Sequence, residues 1–290
     1  MSVNSIWGAV KTAAGAGILQ GGYPFARNVY MVGANVPTFA QSMPSVAAAL
    51  NIAVTGDVIM LGPQRHQEGN LTLAAGKTNV TIIGMGNRGA CYIEPANAGD
   101  EGLNVLADDC TLINVGVAGN ATGDYGLKVG DNTTEVARFR AMGCKFEGPT
   151  GANPAAAVVL QQTGDTILDD CEFAWNSNAL LLASGASSFV TQTRIQRCLF
   201  HNSTTVHIGA IGGAVQVCVD LWVLDNYFAE DEAGVAPTDF ILLSDNANTG
   251  FITGNRFANP TNATGVITIG TGLIYNPNGT EAGWSTARPA

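Results

Sequence analysis

The chain carries few charges and very little lysine. Charged residues make up 12% of its 290 residues, only four are lysine, and 23 acidic against 13 basic residues give a formal net charge of −10. Phosphate binding needs clustered Lys and Arg side chains, which this composition does not supply. We therefore expect no nucleic-acid partner.

The sequence also lacks a long apolar segment and a metal-ligand motif. The first 30 residues are rich in Gly and Ala, without a basic start followed by a continuous apolar run, so we expect no signal peptide and no membrane insertion. Six cysteines form no C-x-x-C pair, and three histidines make no tight cluster with them. We expect buried free thiols, no metal and no cofactor.

What the sequence does contain is glycine, 36 residues of it, and a repeat that ends on phenylalanine. The segments GCKF, DCEF, RCLF, DNYF and GNRF end at residues that are 27, 27, 28 and 29 positions apart. Those residues are Phe146, Phe173, Phe200, Phe228 and Phe257. A nearly fixed period with small slippage predicts stacked turns joined by loops of varying length.

Alignment of the repeats on Phe separates inward from outward positions. Two residues before Phe stand Cys144, Cys171, Cys198, Asn226 and Asn255, and five before it stand Ala141, Leu168, Ile195, Val223 and Ile252. Both columns are small or apolar and should face inward, whereas the residue just before Phe has no common character and should face solvent. The two inward columns are three residues apart, which predicts a bend between them.

A second apolar segment follows each Phe, such as AAVVL at 156–160, DFILL at 239–243 and GVITI at 265–269. Strands this short can bury an apolar face only by stacking on the next repeat. The sequence therefore predicts an all-β fold, a single-stranded right-handed parallel β-helix (solenoid). Counting weaker copies toward the N-terminus gives about eight turns, at a strand spacing of ~4.8 Å.

An amphipathic stretch, PTFAQSMPSVAAALNIAV, opens the segment 37–86 and is followed by GD, a strand and NVTIIG. This order resembles the opening of right-handed parallel β-helix proteins of the pectate-lyase-like class. The resemblance implies a short N-terminal capping helix near 43–53, with Ser42 as its N-cap. Its buried stripe would be Val46, Leu50 and Ala53. The resemblance also implies that the Cys/Asn column is an internal ladder and the Phe column an aromatic stack.

Asp169, Asp170 and Glu172 are the best acid/base candidates, and Asp225 is a further outward acid two turns away. The enzymatic alternative would use the three carboxylates Asp170, Glu172 and Asp225. Outward carboxylates on such a coil are groups that could cleave a glycosidic bond. The opposing interpretation is that an Asp at a bend accepts backbone hydrogen bonds of its own turn. No arginine recurs beside an acidic triad as in the lyases, and the esterase pattern is incomplete around GPQRHQEGN. We predict no catalytic residue and keep the three carboxylates as the alternative.

Two surface tryptophans, Trp175 and Trp222, are placed where they would either pack or stack on a sugar. The class of fold itself does not decide function, because lyases, hydrolases, esterases and non-catalytic virion proteins share it. We therefore base the expected function on the missing catalytic pattern. It favours a binding or structural role over an enzymatic one.

The sequence predicts an N-terminal arm at 1–34, the β-helix at 35–270 and a polar tail at 271–290. The low charge, the Gly/Ala-rich arm and the polar tail together resemble those of bacteriophage virion proteins. The resemblance implies a non-enzymatic virion structural protein (a capsid decoration, head fibre or spike component) that is a homotrimer located in the virion, and we expect that role here. Its arm would contact other virion proteins through Ile6, Trp7, Val10, Ile18 and Leu19. The alternatives are a polysaccharide-cleaving β-helix enzyme (tailspike glycosidase or lyase) and a carbohydrate-binding adhesin. A host surface glycan is a candidate ligand.

Overall fold

Short strands separated by tight corners coil this chain into parallel sheets. The computed structural model describes residues 28–33, 40–97, 99–119, 125–147, 156–182, 189–210, 217–229, 237–258, 265–276, 278–280 and 283–285. Together they form an all-β parallel solenoid of about seven turns with one short helix. The predicted fold class is confirmed, with about one turn fewer than the repeat count suggested.

Four sheets, which we call A to D, run along the solenoid within the described residues. Sheet A has 11 strands, in spatial order Gln41–Met43, Val29–Val32, Val58–Leu61, Thr81–Gly84, Thr111–Ile113, Arg140–Met142, Ile167–Asp169, Arg194–Gln196, Leu221–Leu224, Gly250–Thr253 and Leu273–Tyr275. Sheet B has 10 strands, Arg65–Gln67, Tyr92–Glu94, Gly116–Ala118, Lys145–Glu147, Glu172–Ala174, Leu199–His201, Tyr227–Ala229, Arg256–Phe257, Asn278–Thr280 and Gly283–Ser285.

Sheets C and D are shorter. Sheet C has eight strands, Leu71–Leu73, Leu103–Val105, Tyr125–Val129, Ala156–Leu160, Asn178–Leu182, Val206–Gly209, Asp239–Leu243 and Gly265–Ile269. Sheet D has four, Val136–Ala137, Gln162–Gly164, Phe189–Thr191 and Val217–Val219. A central repeat therefore contributes four strands, where the sequence predicted at least two. All described pairings are parallel except that of the last two strands of sheet B, which is antiparallel.

Sheet A is bounded on both sides by residues in the left-handed backbone region. The entry column, with φ between 49° and 61°, is Asn79, Asp109, Arg138, Asp165, Gln192 and Asp220. The exit column, with φ between 51° and 71°, is Asn114, Gly143, Asp170, Arg197, Asp225 and Gly254. Each left-handed residue turns its N–H toward the next turn, as when Asp170 donates to the Gln196 carbonyl at 3.1 Å. The exit column is the bend that the sequence predicted.

The Phe column forms a continuous stack inside the solenoid. Successive rings from Phe146 to Phe257 have centroids 5.1, 4.5, 4.9 and 4.9 Å apart. All five rings are fully buried. The register follows from this stack, since each Phe pairs directly with the Phe of the next turn.

The Cys/Asn column lies beside the stack and links consecutive turns. The Asn255 side-chain amide donates to the Val223 carbonyl at 2.9 Å, and the Cys171 thiol donates to the Ala141 carbonyl at 3.4 Å. Cysteine and asparagine thus have the same hydrogen-bonding role in different turns, because each donates to a carbonyl of the preceding turn. Asn278 extends the ladder by a sixth position that the sequence pattern missed, because Thr280 follows it where Phe was expected. All six cysteines are buried and free, as predicted.

The capping helix spans Val46–Ile52, and Ser45 is its N-cap. The Ser45 hydroxyl oxygen accepts a hydrogen bond from the Ala48 N–H at 3.0 Å. The prediction of Ser42 was wrong, because Ser42 lies in a strand of sheet A. Pro44 disfavours helical backbone at the residue before it, so the helix begins only after Pro44. The predicted buried stripe is confirmed.

Charged side chains satisfy both ends of this helix. The Glu68 carboxylate accepts the N–H groups of Val46 at 2.6 Å and Ala47 at 2.8 Å. At the other end, the Lys77 ammonium donates to the carbonyls of Leu50 at 2.7 Å and Asn51 at 2.5 Å. The two charges complement the helix dipole and satisfy groups that have no partner within the helix.

The solenoid extends past both predicted segment boundaries. Val29–Val32, placed by the sequence in the arm at 1–34, pairs with Val58–Leu61 in sheet A. Leu273–Tyr275, placed in the tail at 271–290, pairs with Gly250–Thr253. The apolar side chains expected to anchor the arm lie outside the described residues, as do all residues before 28.

Candidate functional site

The outer face of sheet B carries a network of ion pairs. We call it the sheet B cluster, and its members are Arg65, Tyr92, Glu94, Lys145, Glu147, Glu172 and His201. Lys145 Nζ lies 3.0 Å from Glu147 and 3.1 Å from Glu172. Arg65 lies 3.1 Å from Glu94 and stacks over the Tyr92 ring, 4.9 Å from its centroid. Neighbouring strands supply these side chains at positions that alternate with the inward residues of sheet B.

Glu172, one of the predicted acid/base candidates, lies within this cluster. His201 Nε2 is 3.3 Å from one of its carboxylate oxygens, and Lys145 Nζ is 3.1 Å from the same oxygen. The hydrogen bond from His201, together with Lys145, lowers the pKa of Glu172 to about 2. A general acid in glycoside cleavage needs a raised pKa, so the environment of Glu172 is the opposite of what that role requires.

Asp170 and Asp225 lie in the exit column and have different surroundings. The Asp170 carboxylate pairs with Arg88 Nη2 at 2.7 Å. Asp225 lies two turns further along, and its carboxylate oxygen approaches Gly254 so closely that a Cβ there would be 2.0 Å away. Arg197 occupies the column position between them and pairs with Asp169. The structure therefore distributes the three predicted carboxylates over separate contacts.

A groove of about 570 Å³ lies where the entry column meets the outer face of sheet A. We call it the Trp222 groove, and its lining residues are Asp165, Ile167, Gln192, Arg194, Asp220 and Trp222. One wall consists of three successive entry-column residues, and the floor consists of the residues two positions after each of them. Three turns therefore repeat the same two positions along the groove.

The Trp222 ring is supported from both neighbouring turns. Arg194 Cζ lies 5.4 Å from its centroid, and the Phe251 ring lies 5.2 Å away at an angle of 52°. The indole still has 37% of its surface exposed. Of the two tryptophans singled out in the sequence, Trp222 thus contributes to a cavity, whereas Trp175 is an exposed left-handed residue after a strand of sheet B.

The sequence contained a signal for this groove that the repeat alignment did not use. Asp165, Gln192 and Asp220 each stand eight residues before a Phe of the stack. The floor residues each stand six before it. Reading those two columns would have placed two carboxylates, an amide, a guanidinium and an indole on neighbouring turns.

Other kinds of site have no support within the described ranges. There, no group of three or more His, Cys, Asp or Glu side chains is arranged to hold a metal ion. In the same ranges, no helix has the length and apolar character needed to cross a membrane.

Comparison with known proteins places this fold among parallel β-helices. A pectin methylesterase solved with a hexasaccharide has a TM-score of 0.59, 10% identity and coverage of 92% of both chains. The pectate lyase Pel9A has a TM-score of 0.62 and 13% identity, and the match covers 88% of this chain and 69% of that one. These identities show the shared fold alone. No family model matches the chain, and no curated protein matches its sequence.

A viral protein shares the fold as well. ORF18 of Geobacillus virus E2 has a TM-score of 0.55 and 12% identity, over 80% of this chain. The match covers 56% of the viral protein, so this chain corresponds to little more than half of it. The class defined by the fold is the pectate-lyase-like parallel β-helix, which includes polysaccharide-acting enzymes and at least one phage protein.

Proposed function

We propose that this chain is a non-enzymatic structural protein of a bacteriophage virion, a capsid decoration, head fibre or spike component. The main support for the proposal is that outward carboxylates are occupied by ion pairs. Asp170 is paired with Arg88, and Glu172 is paired with Lys145 and His201. His201 and Lys145 lower the pKa of Glu172 to about 2, so this carboxylate is not an uncharged acid at neutral pH, and the ion pair with Arg88 occupies Asp170.

The architecture suits a structural role. Among the described residues, the Phe stack and the ladder join successive turns through a continuous core. Such a solenoid is a stiff rod in which each turn contacts only its neighbours. A phage protein with the same fold is compatible with this assignment, although polysaccharide-acting enzymes share the fold at similar TM-scores.

The proposal includes assembly as a homotrimer, with residues 1–27 joining it to other virion proteins. Light scattering of the full 29.9 kDa chain and of a variant that begins at residue 28 tests this arrangement. The truncation has to stop before Val29, because Val29–Val32 is a strand of sheet A. A trimer in both samples supports side-by-side solenoids with a separate docking arm. A monomer in both contradicts the trimer.

Location in the virion is tested by gold-labelled antibody on particles of the phage that encodes the chain. Labelling at a regular position on the capsid or tail is expected. If the protein is present in the lysate but is never found on the virions, the proposal is wrong.

The enzymatic alternative is tested by incubation with bacterial capsular and cell-wall polysaccharides. We expect no release of reducing or unsaturated oligosaccharides. If cleavage is reproducible, the triple variant Asp170→Asn, Glu172→Gln, Asp225→Asn decides whether these carboxylates are responsible. Activity that survives in the variant would assign the chemistry to other residues.

A further inference from the structure

The Trp222 groove presents exposed polar side chains beside a partly exposed indole. Its wall is formed by the side chains of Asp165, Gln192 and Asp220, all of them exposed. Within the part of the chain that the structure describes, no hydrogen bond or ion pair engages these three side chains. Arg138, the preceding residue of the entry column, forms its ion pair with Asp109, and its charge also interacts with that of Asp165. The groove therefore presents two carboxylates and one amide that are available to a ligand.

These polar groups recur at a regular interval. Asp165, Gln192 and Asp220 are successive residues of the entry column, so each is displaced from the next by one turn of the solenoid, ~4.8 Å. A ligand that lies along the axis meets a hydrogen-bonding group at every turn. A chain of pyranose rings has a repeat of comparable length and offers hydroxyl groups at each ring.

The floor of the groove supplies the apolar contact that sugars require. The indole of Trp222 is fixed between Arg194 and Phe251, so its exposed part loses little freedom when a ligand packs against it. Ile167 extends the apolar surface two turns earlier. The apolar C–H face of a pyranose would rest on this floor while its hydroxyl groups reach the wall.

The charge of the groove selects among sugars. Two carboxylates face the guanidinium of Arg194, which is already placed over an aromatic ring, while Arg138 interacts with Asp165 from the preceding turn and is paired with Asp109. A polyuronate would bring further negative charge against Asp165 and Asp220, and that repulsion disfavours it. Neutral hydroxyl groups, in contrast, can donate to both carboxylates in charge-assisted hydrogen bonds.

We infer that the Trp222 groove binds a neutral oligosaccharide that lies along the solenoid axis across the turns of Asp165, Gln192 and Asp220. This binding goes beyond the structural role proposed above and would add recognition of a surface glycan without cleavage. The proposed binding site also lies at a different location from the predicted acid/base carboxylates, because none of Asp170, Glu172 and Asp225 lines the groove.

The test is a glycan array of neutral hexose and deoxyhexose oligosaccharides beside matched uronic-acid oligosaccharides, probed with the full-length chain. Calorimetric titration with the strongest neutral oligosaccharide then measures affinity. We expect neutral binders and no uronic-acid binder. The variants Trp222→Ala and Asp165→Asn with Asp220→Asn should each weaken affinity about tenfold or more, since the first removes apolar contact with the exposed part of the indole and the second removes charge-assisted hydrogen bonds.

Matched controls separate the groove from the rest of the surface. Trp175→Ala removes an indole that is 41% exposed but lies away from the groove, and Asp225→Asn changes an exposed left-handed Asp of the exit column. Both should retain wild-type affinity. Equal melting temperatures for all variants would show that the groove, and not folding, is affected.

Three results would overturn the inference: no neutral oligosaccharide binds, uronic-acid oligosaccharides bind better, or the controls lose affinity as much as the groove variants. A further result identifies a different occupant. If Trp222→Ala lowers the solution mass of the wild-type assembly, the groove is an interface between copies of this chain and not a glycan site. In each of these cases the proposed virion role is unaffected, because its own test is labelling of the particle.

Discussion

The side-chain oxygen of Asn255 accepts two hydrogen bonds from Asn226 in the preceding turn, one from the backbone N–H at 3.0 Å and one from the side-chain amide at 2.9 Å. Both residues are fully buried or nearly so. One side chain thereby satisfies two buried donors of the neighbouring turn and donates in turn to the Val223 carbonyl. Removing it leaves several polar groups without a partner in a dry interior.

We therefore predict that Asn255→Ala lowers the free energy of unfolding by at least about 1–3 kcal/mol, the cost of a buried polar group left unpaired. Asn255→Cys should cost less than Asn255→Ala, because cysteine supplies the donor in earlier turns of the same column. Urea titration measures both, with Asn51→Ala on the exposed side of the helix as a control that should be nearly neutral. Equal losses at Asn255 and Asn51 would contradict this account of the ladder.

Gly143 allows a direct measurement of the strain at the corners. A Cβ at Gly143 or at Gly76 would meet nothing within 4 Å, yet only Gly143 has a left-handed backbone, with φ +63°. Gly143→Ala should therefore cost about 1–2 kcal/mol, from backbone strain alone. Gly76→Ala should be neutral or slightly stabilising. Thermal unfolding of the two variants compares them, and a neutral Gly143→Ala would show that the corner relaxes.

Glu68 should stabilise the capping helix through its charge and its two hydrogen bonds. Glu68→Ala leaves the N–H groups of Val46 and Ala47 without their acceptor and removes a negative charge from the helix N-terminus. We expect a loss of about 1–2 kcal/mol in the free energy of unfolding. Glu135→Ala, at an exposed position outside the helix, is the matched control and should change it little. Denaturant titration gives both values.

His207 should make the fold sensitive to mild acid. The imidazole is fully buried, stacks on the Phe240 ring with centroids 5.4 Å apart, and is hydrogen-bonded to the Ser203 hydroxyl at 3.0 Å. Burial, with a smaller effect of the nearby His201, lowers the pKa of His207 from 6.5 to about 3. Between these two pH values the unfolded chain binds a proton that the folded chain does not. Stability is therefore complete above pH 6.5 and falls as the pH drops.

We predict a loss of up to about 1.4 kcal/mol per pH unit from this residue below its unfolded pKa. Unfolding at pH 7 and pH 5 measures the loss above pH 4.5, the ordinary pKa of a glutamate, because Glu172, whose folded pKa is about 2, loses its own contribution only below that value. His207→Phe should reduce the difference between the two pH values, whereas His201→Gln should largely retain it. A pH difference that is the same in His207→Phe and in the wild type would exclude His207 as its source.

The core of the fold was predictable because its signal repeats. Phe146 to Phe257 and the Cys/Asn column recur with nearly constant spacing, and the three-residue gap between inward columns indicated the bend at the exit column. Sheet D was not predicted, although Val136, Thr163, Val190 and Cys218 each stand ten residues before a Phe of the stack. Its strands are only two or three residues long and the column includes the polar Thr163, so no apolar segment marks it. The N-cap prediction of Ser42 was wrong because the sequence does not reveal that Gln41–Met43 pairs with Val29–Val32.

The sites were less predictable for a physical reason. The sheet B cluster joins Arg65 to Glu94 and Glu147, so its ion pairs depend on which side chains of distant turns meet on one face. Sequence inspection found Glu172 but not the cations that neutralise it. It also singled out Trp222 as an isolated aromatic, because the wall residues beside it come from three separate turns.

The entry and exit columns are five residues apart in every central turn, as in Arg138 and Gly143, Asp165 and Asp170, and Gln192 and Arg197. Differences in repeat length therefore fall between the Phe column and the next entry column, on the side of sheets C and D. The residue spacing is therefore constant on the side of sheets A and B, and the loop length varies on the other side. New sequence can be accommodated on that side without shifting the ladder, the aromatic stack or the groove, so surface diversity and core register can evolve independently in this protein.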